Sequence, residues 1–410
     1  MAWFGIRVGV SKVLPPLPRA TTASKALLQI NLKVPCPIHA ACISGSALRD
    51  KSKVRPAPFP YKTKSYNFWR AWLQDTTTDR FDENTKIVVV EGPIAAGKTA
   101  FAKSLAEDLD MLHMPEVTMD DFYINSYGYD MRKLDPQLPV GARSYDEKNF
   151  CTEPNHENTA NFQIMKYKLR YSQYIDALAH LMNTGQGVVL ERCAYSDFVF
   201  METMHNAGYI SKGARDVYYD IYKNTIGELM KPHLVIYLDV PVPLVQQRIK
   251  ERKIPYEISS KVFTKQYLSD MEYFYKQRYL KEIGSHAELL IYDWSSYGDV
   301  EVVVEDIERI DFDNFDKYDP KMKDWRLTNE WDWNTARIRY TSEKDDLLTL
   351  FMIPRLDVPE LVLNAHDVHK LNQVWWNAPG MKYDKEFNTD MGDTNLLFKT
   401  KKQDYRSTTA

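Results

Sequence analysis

The sequence predicts an α/β protein built on a parallel β-sheet that carries helices on both faces. Short apolar runs recur along the chain at residues 87–90, 188–190, 234–238 and 289–292. These runs are rich in Val, Ile and Leu and do not alternate with polar residues, which is typical of strands buried on both faces. Long helical patterns separate them, and strands that alternate with helices form parallel sheets.

The first predicted strand leads directly into a loop that can bind phosphate. Residues 86–101 read KIVVVEGPIAAGKTAF and fit the motif G-x-x-x-x-G-K-S/T. In such a loop the glycines let the backbone approach an anion, the Lys98 ammonium binds phosphate, and the Thr99 hydroxyl can bind Mg²⁺. The strand before the loop and the helix after it supply the context that the motif requires. The predicted nucleotide-binding residues of the loop are Gly92, Ala95, Ala96, Gly97, Lys98 and Thr99.

Charged side chains follow two later predicted strands. The second strand is expected to end near MPEVTMDD, which puts Glu116 at the carboxyl edge of the sheet, where open α/β folds bind ligands. A carboxylate there can accept a proton from a hydroxyl group, although a solvated loop residue is the alternative. Glu191 and Arg192 directly follow the strand at residues 188–190, and Asp197 comes shortly after. These three residues predict a phosphate or sugar site, or else an ion pair that caps the sheet.

A helical stretch between these strands supplies two more polar residues. Gln163 and Arg170 lie seven residues apart in FQIMKYKLRYSQY, almost two turns, so both side chains project from one face. A glutamine amide can bind a nucleobase edge with one donor and one acceptor, and an arginine can bind a phosphate or a carboxylate. The alternative is a pair of polar residues on a solvated helix face.

The first 49 residues differ in composition from the rest of the chain. They include six Lys or Arg residues and no Asp or Glu, and they are rich in Ser, Thr and Ala. That composition is typical of a mitochondrial transit peptide, predicted here at residues 1–45, with a retained basic arm as the alternative. The remaining chain is acidic, which argues against nucleic acid as a partner. No run of about 18 apolar residues predicts a membrane span.

Taken in order, these motifs resemble the deoxynucleoside kinase family of phosphate-loop enzymes. The family pattern is a phosphate loop, a glutamate after the second strand, an F-Q…R helix, an E-R…D segment after the third strand and an arginine-rich lid. The matching elements here are GPIAAGKT, Glu116, FQ…R, ERC…D and QQRIKERKIPYE. The resemblance covers residues 84–310 and implies a phosphate-loop kinase-like domain there.

The resemblance also implies roles for individual residues. Glu116 would be the base that activates a nucleoside 5′-hydroxyl group. Gln163 would read the nucleobase, with Arg170 beside it. Arg192 would position the hydroxyl group and the phosphate, while Asp197 would contact the base or the glutamate network.

The lid departs from the family pattern at one position. The family lid has the form R-x-x-x-R-x-R-x-x-E, and residues 248–257 supply Arg248 and Arg252 as predicted nucleotide ligands. Ile254 occupies the third arginine position and is followed by Pro255. Lid arginines stabilise charge on the transferring phosphoryl group, and an arginine in that role can be worth about 10³–10⁵ in rate. The sequence therefore predicts a weakened lid.

Other segments lie outside the family pattern. They are a lead-in at residues 46–83, a polar insert at about residues 120–160 and an extension at residues 311–410. The extension is rich in acidic and aromatic residues and shows no clear period, so it is predicted to be irregular. It holds five of the nine tryptophans, which indicates either packing on the chain's own domain or docking onto a partner.

The combination of a transit peptide, a weakened lid and an aromatic extension resembles the kinase-like accessory subunits of mitochondrial respiratory complex I, NADH:ubiquinone oxidoreductase. This resemblance implies a non-catalytic subunit in the matrix that supports assembly or stability, contacts other complex I subunits at the membrane arm and retains a nucleotide site. FAD has been attributed to this group. No G-x-G-x-x-G follows a strand here, so an adenine nucleotide or deoxynucleotide with Mg²⁺ at Thr99 is predicted instead. The alternatives are an active mitochondrial deoxynucleoside kinase with Glu116 as its base and a free regulator that senses nucleotide.

Overall fold

The structure, a computed structural model, describes residues 42–49, 55–73, 75–314, 316, 318–355 and 357–395. The predicted transit peptide at residues 1–45 lies outside these ranges except for its last four positions, so it stays a prediction. Within the described ranges, no helix is both long enough and apolar enough to cross a membrane.

The predicted parallel sheet is confirmed and has five strands in the described part of the chain. They are β1 (Ile87–Glu91), β2 (Leu112–Met114), β3 (Val188–Glu191), β4 (Leu234–Asp239) and β5 (Glu288–Asp293). Their order across the sheet is β2-β3-β1-β4-β5, and every neighbouring pair is parallel. The apolar runs of the sequence are β1, β3, β4 and β5, while β2 is the second strand expected before Glu116. The carboxyl ends of all the strands therefore meet at one edge of the sheet.

Helices connect the strands and continue beyond the last one. In chain order they are α1 (Phe68–Leu73), α2 (Lys98–Asp108), α3 (Asp120–Tyr123), α4 (Glu147–Thr152), α5 (Thr159–Thr184), α6 (Phe198–Asn206), α7 (Lys212–Ile226), α8 (Val242–Glu251), α9 (Pro255–Ile258), α10 (Lys265–Phe274), α11 (Leu280–Ile283), α12 (Val300–Glu308), α13 (Glu330–Ser342), α14 (Lys344–Thr349) and α15 (Ala365–Trp376). A π-helical turn at Tyr275–Tyr279 joins α10 to α11, and short 3-10 helices lie at Thr78–Arg80, Met131–Gln137, Val140–Ala142, Ala194–Ser196, Lys323–Trp325, Pro359–Leu361 and Thr389–Met391.

Alternate residues of the strands bury two separate cores. Val88 and Val90 of β1 pack with α2, α8 and α12 on one face of the sheet, whereas Ile87 and Val89 pack with α5, α6 and α10 on the other face. Successive side chains of a strand point in opposite directions, so a strand covered on both faces needs apolar residues at every position. This explains why the strands read as continuous apolar runs.

The C-terminal extension is more regular than the sequence predicts, because it contains α13, α14 and α15. The buried face of α13 consists of Trp333, Asn334, Arg337 and Tyr340. Their spacing is helical, but two of the four side chains are polar, so the hydrophobic period is hidden in the sequence. The guanidinium of Arg337 is fully buried, stacks 3.7 Å from the centre of the Tyr66 ring and donates a 2.7 Å hydrogen bond to Asn183 Oδ1.

The extension packs into the main apolar core and also leaves aromatic surface exposed. Leu347, Leu348 and Phe351 belong to the same buried cluster as the residues of α5. Trp333 is 9% exposed, whereas Trp331 is 49% and Trp376 is 56% exposed. The buried Trp333 therefore fits the interpretation of internal packing, whereas the exposed Trp331 and Trp376 fit a surface for docking.

The polar insert divides its contacts between the extension and the edge of the sheet. The segment that holds its two 3-10 helices contributes Met131, Leu134, Leu138 and Ala142 to a small core, which α15 completes with Leu371 and Val374. Later in the insert, α4 carries Phe150 and Cys151, which line the cleft at the carboxyl edge of the sheet. The insert therefore contacts both the extension and the cleft at the carboxyl edge of the sheet.

Candidate functional site

A cleft of about 790 Å³ opens at the carboxyl edge of the sheet. It brings together most of the residues that the sequence predicts for a site. The predicted residues that line it are Ala95, Ala96, Gly97, Lys98, Thr99, Glu116, Gln163, Arg170, Glu191, Arg192, Arg248 and Arg252. Gly92 and Asp197 are not part of its lining, since Gly92 lies under the loop against β4 and Asp197 lies behind the wall that Gln163 and Arg170 form.

The phosphate loop adopts a backbone that only its glycines allow. Gly92 has a φ of +151°, and a Cβ at this position would lie 2.7 Å from the carbonyl oxygen of Leu238. Gly97 has a φ of +88°, and a Cβ there would lie 2.8 Å from Cε1 of Tyr297. Because α2 begins at Lys98, the free N–H groups of its first turn border the cleft, where they can bind an anion.

Lys98 is held by its own loop. Its Nζ donates a 2.8 Å hydrogen bond to the carbonyl oxygen of Pro93. Burial, with a further contribution from the nearby charge of Arg192, lowers the pKa of Lys98 to about 7. A phosphate group at the loop would supply the negative charge that this ammonium lacks.

Thr99 and Glu191 form a pair of oxygen groups at the end of the loop, where α2 begins. The Thr99 hydroxyl donates a 2.7 Å hydrogen bond to Glu191 Oε2, and His113 Nε2 lies 2.8 Å from Glu191 Oε1. A hydroxyl and a carboxylate are hard oxygen donors, which suit Mg²⁺ held by few protein ligands and the phosphates of its substrate. These two oxygen ligands therefore fit Mg²⁺. Glu191 is thus a second candidate ligand of the predicted Mg²⁺ site, next to Thr99. Among the described residues no cluster of three or more His, Cys, Asp or Glu side chains forms a separate metal cage.

Glu116 is clamped between two arginines. Arg170 donates to Glu116 Oε1 over 2.8 Å, and Arg192 Nε donates to Glu116 Oε2 over 2.9 Å. Burial disfavours the charged carboxylate, but Arg192 and Arg170 more than offset this effect, so the pKa of Glu116 lies well below its usual range. A carboxylate held this strongly in its charged form is a weak proton acceptor.

Behind the cleft, Asp197 holds two of the residues that face the cleft. It is fully buried, and it accepts hydrogen bonds from Gln163 Nε2 at 2.9 Å and from the Tyr218 hydroxyl at 2.8 Å. Its other carboxylate oxygen accepts from Arg170. Burial raises the pKa of Asp197, while Arg170 acts in the opposite direction. Asp197 thereby fixes both Gln163 and Arg170 toward the cleft.

The sequence analysis missed the residues that hold Arg192 in place. Arg192 has a φ of +63°, in the left-handed region, and its Nη1 donates to the hydroxyl of Tyr275 and lies 3.8 Å from Glu91 Oε2. The ring of Phe200 stacks under Arg192 at 4.8 Å and under Arg170 at 4.5 Å. Glu91 was the detectable signal, because it is the one acidic residue in the buried run IVVVE.

The lid arginines are occupied by partners of their own. Arg248 donates to the carbonyl oxygens of Trp294 at 2.8 Å and Ser295 at 3.1 Å, and it stacks 4.5 Å from the centre of the Tyr297 ring. Its Nη1 also donates to the carbonyl oxygen of Ala96 over 3.4 Å. Arg252 pairs with Glu257 at 3.3 Å and has a side chain that is 44% exposed.

At the third lid position, Ile254 lies between α8 and α9 and precedes the first residue of α9. An aliphatic side chain cannot donate a hydrogen bond or carry a charge. The predicted lid at residues 248–257 therefore presents one solvent-accessible arginine, Arg252, to the cleft.

Comparisons with known proteins found a matching family model, similar relatives and similar solved structures. The family model described as Deoxynucleoside kinase matches residues 88–326. The mouse (Mus musculus) protein NADH dehydrogenase (ubiquinone) 1 alpha subcomplex subunit 10, mitochondrial, is 36% identical over 334 residues, which are 82% of this chain and 90% of that protein. Deoxyguanosine kinase of Dictyostelium discoideum is 28% identical over 58% of this chain and 73% of its own length. The solved deoxyadenosine kinase of M. mycoides, with products dCMP and dCDP, has a TM-score of 0.40 and 18% identity over 54% of this chain and 96% of that chain.

Proposed function

The chain belongs to the deoxynucleoside kinase family and, within it, to the NADH dehydrogenase (ubiquinone) 1 alpha subcomplex subunit 10 proteins, and we propose that it is a non-catalytic subunit of that mitochondrial complex. In this role the protein lies on the matrix side of the inner membrane, contacts neighbouring subunits at the membrane arm and supports assembly or stability. It keeps its cleft as a site for an adenine nucleotide or a deoxynucleotide.

Ile254 carries the non-catalytic part of this proposal. Lid arginines act on the charge that develops while the phosphoryl group moves, and Ile254 removes one of them. Arg248 cannot replace it without giving up the carbonyl oxygens of Trp294 and Ser295. The contacts that hold a bound nucleotide in its ground state, by contrast, come from the phosphate loop and need no lid.

Within the cleft, the chain's own residues define how the nucleotide would lie. The phosphates would bind the loop and Lys98. Thr99 and Glu191 would hold Mg²⁺, which would neutralise phosphate charge. The nucleoside end then lies toward Gln163, whose amide is fixed by Asp197. The absence of a dinucleotide fingerprint from the sequence argues for a mononucleotide over FAD.

An active mitochondrial deoxynucleoside kinase is the second candidate. It is favoured by the presence in one cleft of Lys98, Thr99, Glu116 and Arg192, the residues that would bind ATP and activate a hydroxyl group. In that case Glu116 has to leave its arginine clamp when the substrate binds, because the clamped carboxylate is a weak base.

In mitochondria, we expect the protein to migrate on a native gel together with NADH dehydrogenase activity, and not as a free chain of 47.8 kDa or less. The test is expression with a C-terminal tag, gentle solubilisation and an in-gel activity stain. A reporter protein fused to residues 1–45 is the control, since it should reach the matrix but stay outside the complex. If the tagged protein migrates as a free chain, the proposal that it is a subunit of the complex is rejected, and the active kinase remains as the candidate function.

We also expect Lys98→Met to weaken ADP binding by about 1.5–3 kcal/mol, the range for a hydrogen bond to a charged group. With a pKa of about 7, Lys98 is mostly neutral at pH 8 and becomes charged when a phosphate replaces the Pro93 carbonyl oxygen. The wild-type protein should therefore take up close to one proton, about 0.9, on binding at pH 8, and binding should weaken as the pH rises above about 7.

Calorimetry in two buffers with different heats of ionisation measures both the affinity and this proton uptake. Lys103→Met is the matched control, because Lys103 lies on the exposed face of the same helix, α2. The control should keep the affinity and the proton uptake of the wild-type protein. If Lys98→Met binds ADP as tightly as the wild type, the loop is a structural turn and not a phosphate site.

A further inference from the structure

A second cavity lies on the opposite side of α5 from the nucleotide cleft. Its volume is about 120 Å³. Asn161, Ile164 and Lys168 of α5 line this cavity, whereas Gln163 and Arg170 of the same helix line the cleft. At 100° per residue these two sets point in opposite directions. The cavity therefore lies on a different face of α5 from the nucleotide site, and Phe162 lines both.

The other walls come from segments added around the kinase-like domain. The insert contributes Ala142 and Arg143, and the extension contributes Phe351, Arg355 and Trp375. The match to the kinase family ends at residue 326, so the extension's wall lies beyond it. Whatever fills the cavity would contact the insert, α5 and the extension together.

The charges around the cavity are unbalanced. Arg143, Lys168 and Arg355 line it, and its described lining includes neither Asp nor Glu. This is unusual for a chain with 56 acidic and 53 basic residues. Buried or partly buried charges are normally paired. The described lining of the cavity thus carries basic side chains and no carboxylate.

Two donors at the cavity lack an acceptor. Within the described ranges, no hydrogen bond or ion pair involves the guanidinium of Arg355. Burial lowers the pKa of Arg355, and no carboxylate opposes that effect. The indole Nε1 of Trp375 is buried and also has no partner among the described residues. A guanidinium and an indole N–H are both donors, so the missing group is an acceptor, and the positive charge favours an anion.

We propose that this cavity binds a small organic anion whose carboxylate group accepts hydrogen bonds from Arg355 and Trp375. The rest of the lining is mainly aromatic and aliphatic, including Phe122 and Leu371, so the ligand has an apolar body. The cavity is smaller than the roughly 300–1,000 Å³ of sites for drug-sized ligands. An aromatic acid or the head of an acyl carboxylate fits this size, and its binding would fasten the extension to α5.

The test is titration of the full-length protein with benzoate and octanoate, which represent the two sources, followed by ligand-observed NMR. Benzyl alcohol and octanol are the neutral analogues. At least one acid should bind saturably, and its neutral analogue should bind at least about tenfold more weakly because it loses the charged hydrogen bond. Saturable binding of neither acid, or equal binding of the neutral analogue, would overturn the proposal.

Variants then assign the site. Arg355→Met should weaken binding at least about tenfold without lowering the melting temperature, because it removes an unpaired charge. Trp375→Phe keeps an aromatic ring and removes the N–H group, so it should weaken binding about threefold or more. This second variant tests the site even if Arg355→Met does not fold. Arg309→Met, at an exposed arginine of another surface, should have no effect. Full affinity in the Arg355 and Trp375 variants would refute the site.

Discussion

Wild-type protein is expected to bind nucleotide yet to phosphorylate deoxynucleosides at least about 10³-fold more slowly than the roughly 1–100 s⁻¹ of kinases. Interactions that exist equally in the ground state and the transition state give binding without turnover. In the proposed complex with nucleotide, the loop, Lys98 and Thr99 would make such ground-state contacts. The lid acts on the transition state, and there Ile254 supplies no charge.

The proton acceptor adds to this expected loss. The pKa of Glu116 lies well below its usual range, since Arg170 and Arg192 both bind the carboxylate, and a base this weak takes up the proton of a 5′-hydroxyl group poorly. Binding without turnover therefore follows from two independent features, the charge missing from the lid and the clamped base.

Ile254→Arg separates these features. We expect this variant to raise the transfer of radiolabelled γ-phosphate from ATP to deoxyguanosine or deoxyadenosine by about tenfold, which is a small part of the about 10³–10⁵ that an arginine can provide. The gain is small because the Glu116 clamp remains and because Pro255, the first residue of α9, fixes the backbone directly after the new side chain.

Ile258→Arg is the matched control, since it makes the same chemical change at an exposed isoleucine of α9. An equal gain in this control would mean that any added positive charge near the cleft raises the rate. The gain in Ile254→Arg would then not show that the lid position had been restored. Rapid turnover by the wild-type protein would contradict the non-catalytic proposal itself and favour the kinase.

The cleft residues were predictable because simple topology brings them together. The carboxyl ends of parallel strands share one edge, so Lys98, Glu116 and Arg192, which follow β1, β2 and β3, had to lie close together. Helical spacing put Gln163 and Arg170 on one face of a helix, and the family resemblance assigned that face to the site; both residues line the cleft. Local patterns, one rule about sheets and the family resemblance were together sufficient for these residues.

Partners that lie far apart in the sequence were not predictable. The Tyr275 hydroxyl donates to Glu91 Oε2 across 184 positions, and no local pattern indicates such a contact. The sequence likewise predicts that Arg248 binds the phosphates of a nucleotide. In the structure, Arg248 instead donates hydrogen bonds to the carbonyl oxygens of Trp294 and Ser295, which directly follow β5. A helical period is equally invisible where the buried face includes Arg337, whose burial depends on stacking and hydrogen bonds with other segments.

Replacing Arg170 with methionine is expected to destabilise the protein by about 3–5 kcal/mol at pH 7, the range for removing one partner of a buried ion pair. Arg170 is 4% exposed, and its guanidinium binds both Glu116 and Asp197. Glu116 would keep Arg192, but Asp197, which is fully buried, would keep only the neutral donors of Gln163 and Tyr218. Unfolding in urea, with a linear extrapolation to water, measures the loss.

This loss should depend on pH in a direction that identifies its cause. Burial raises the pKa of Asp197, and Arg170 opposes that rise, so the variant's native state should hold the Asp197 proton to a higher pH than the wild type does. Above the unfolded pKa of about 4, the variant's native state then binds more protons than its unfolded state. Its stability therefore falls as the pH rises, and its deficit relative to the wild type should be larger at pH 7 than at pH 5.

The second variant, Arg170→Met combined with Asp197→Asn, removes the unpaired charge and should recover part of the stability that Arg170→Met loses, which a double-mutant cycle measures. Arg309→Met removes only exposed ion pairs with Glu305 and Asp306, so it should stay within about 0.5 kcal/mol of the wild type at both pH values. An equal loss at pH 5 and pH 7, with no recovery in the combined variant, would show that lost packing of the long Arg170 side chain, and not the charge of Asp197, sets the cost.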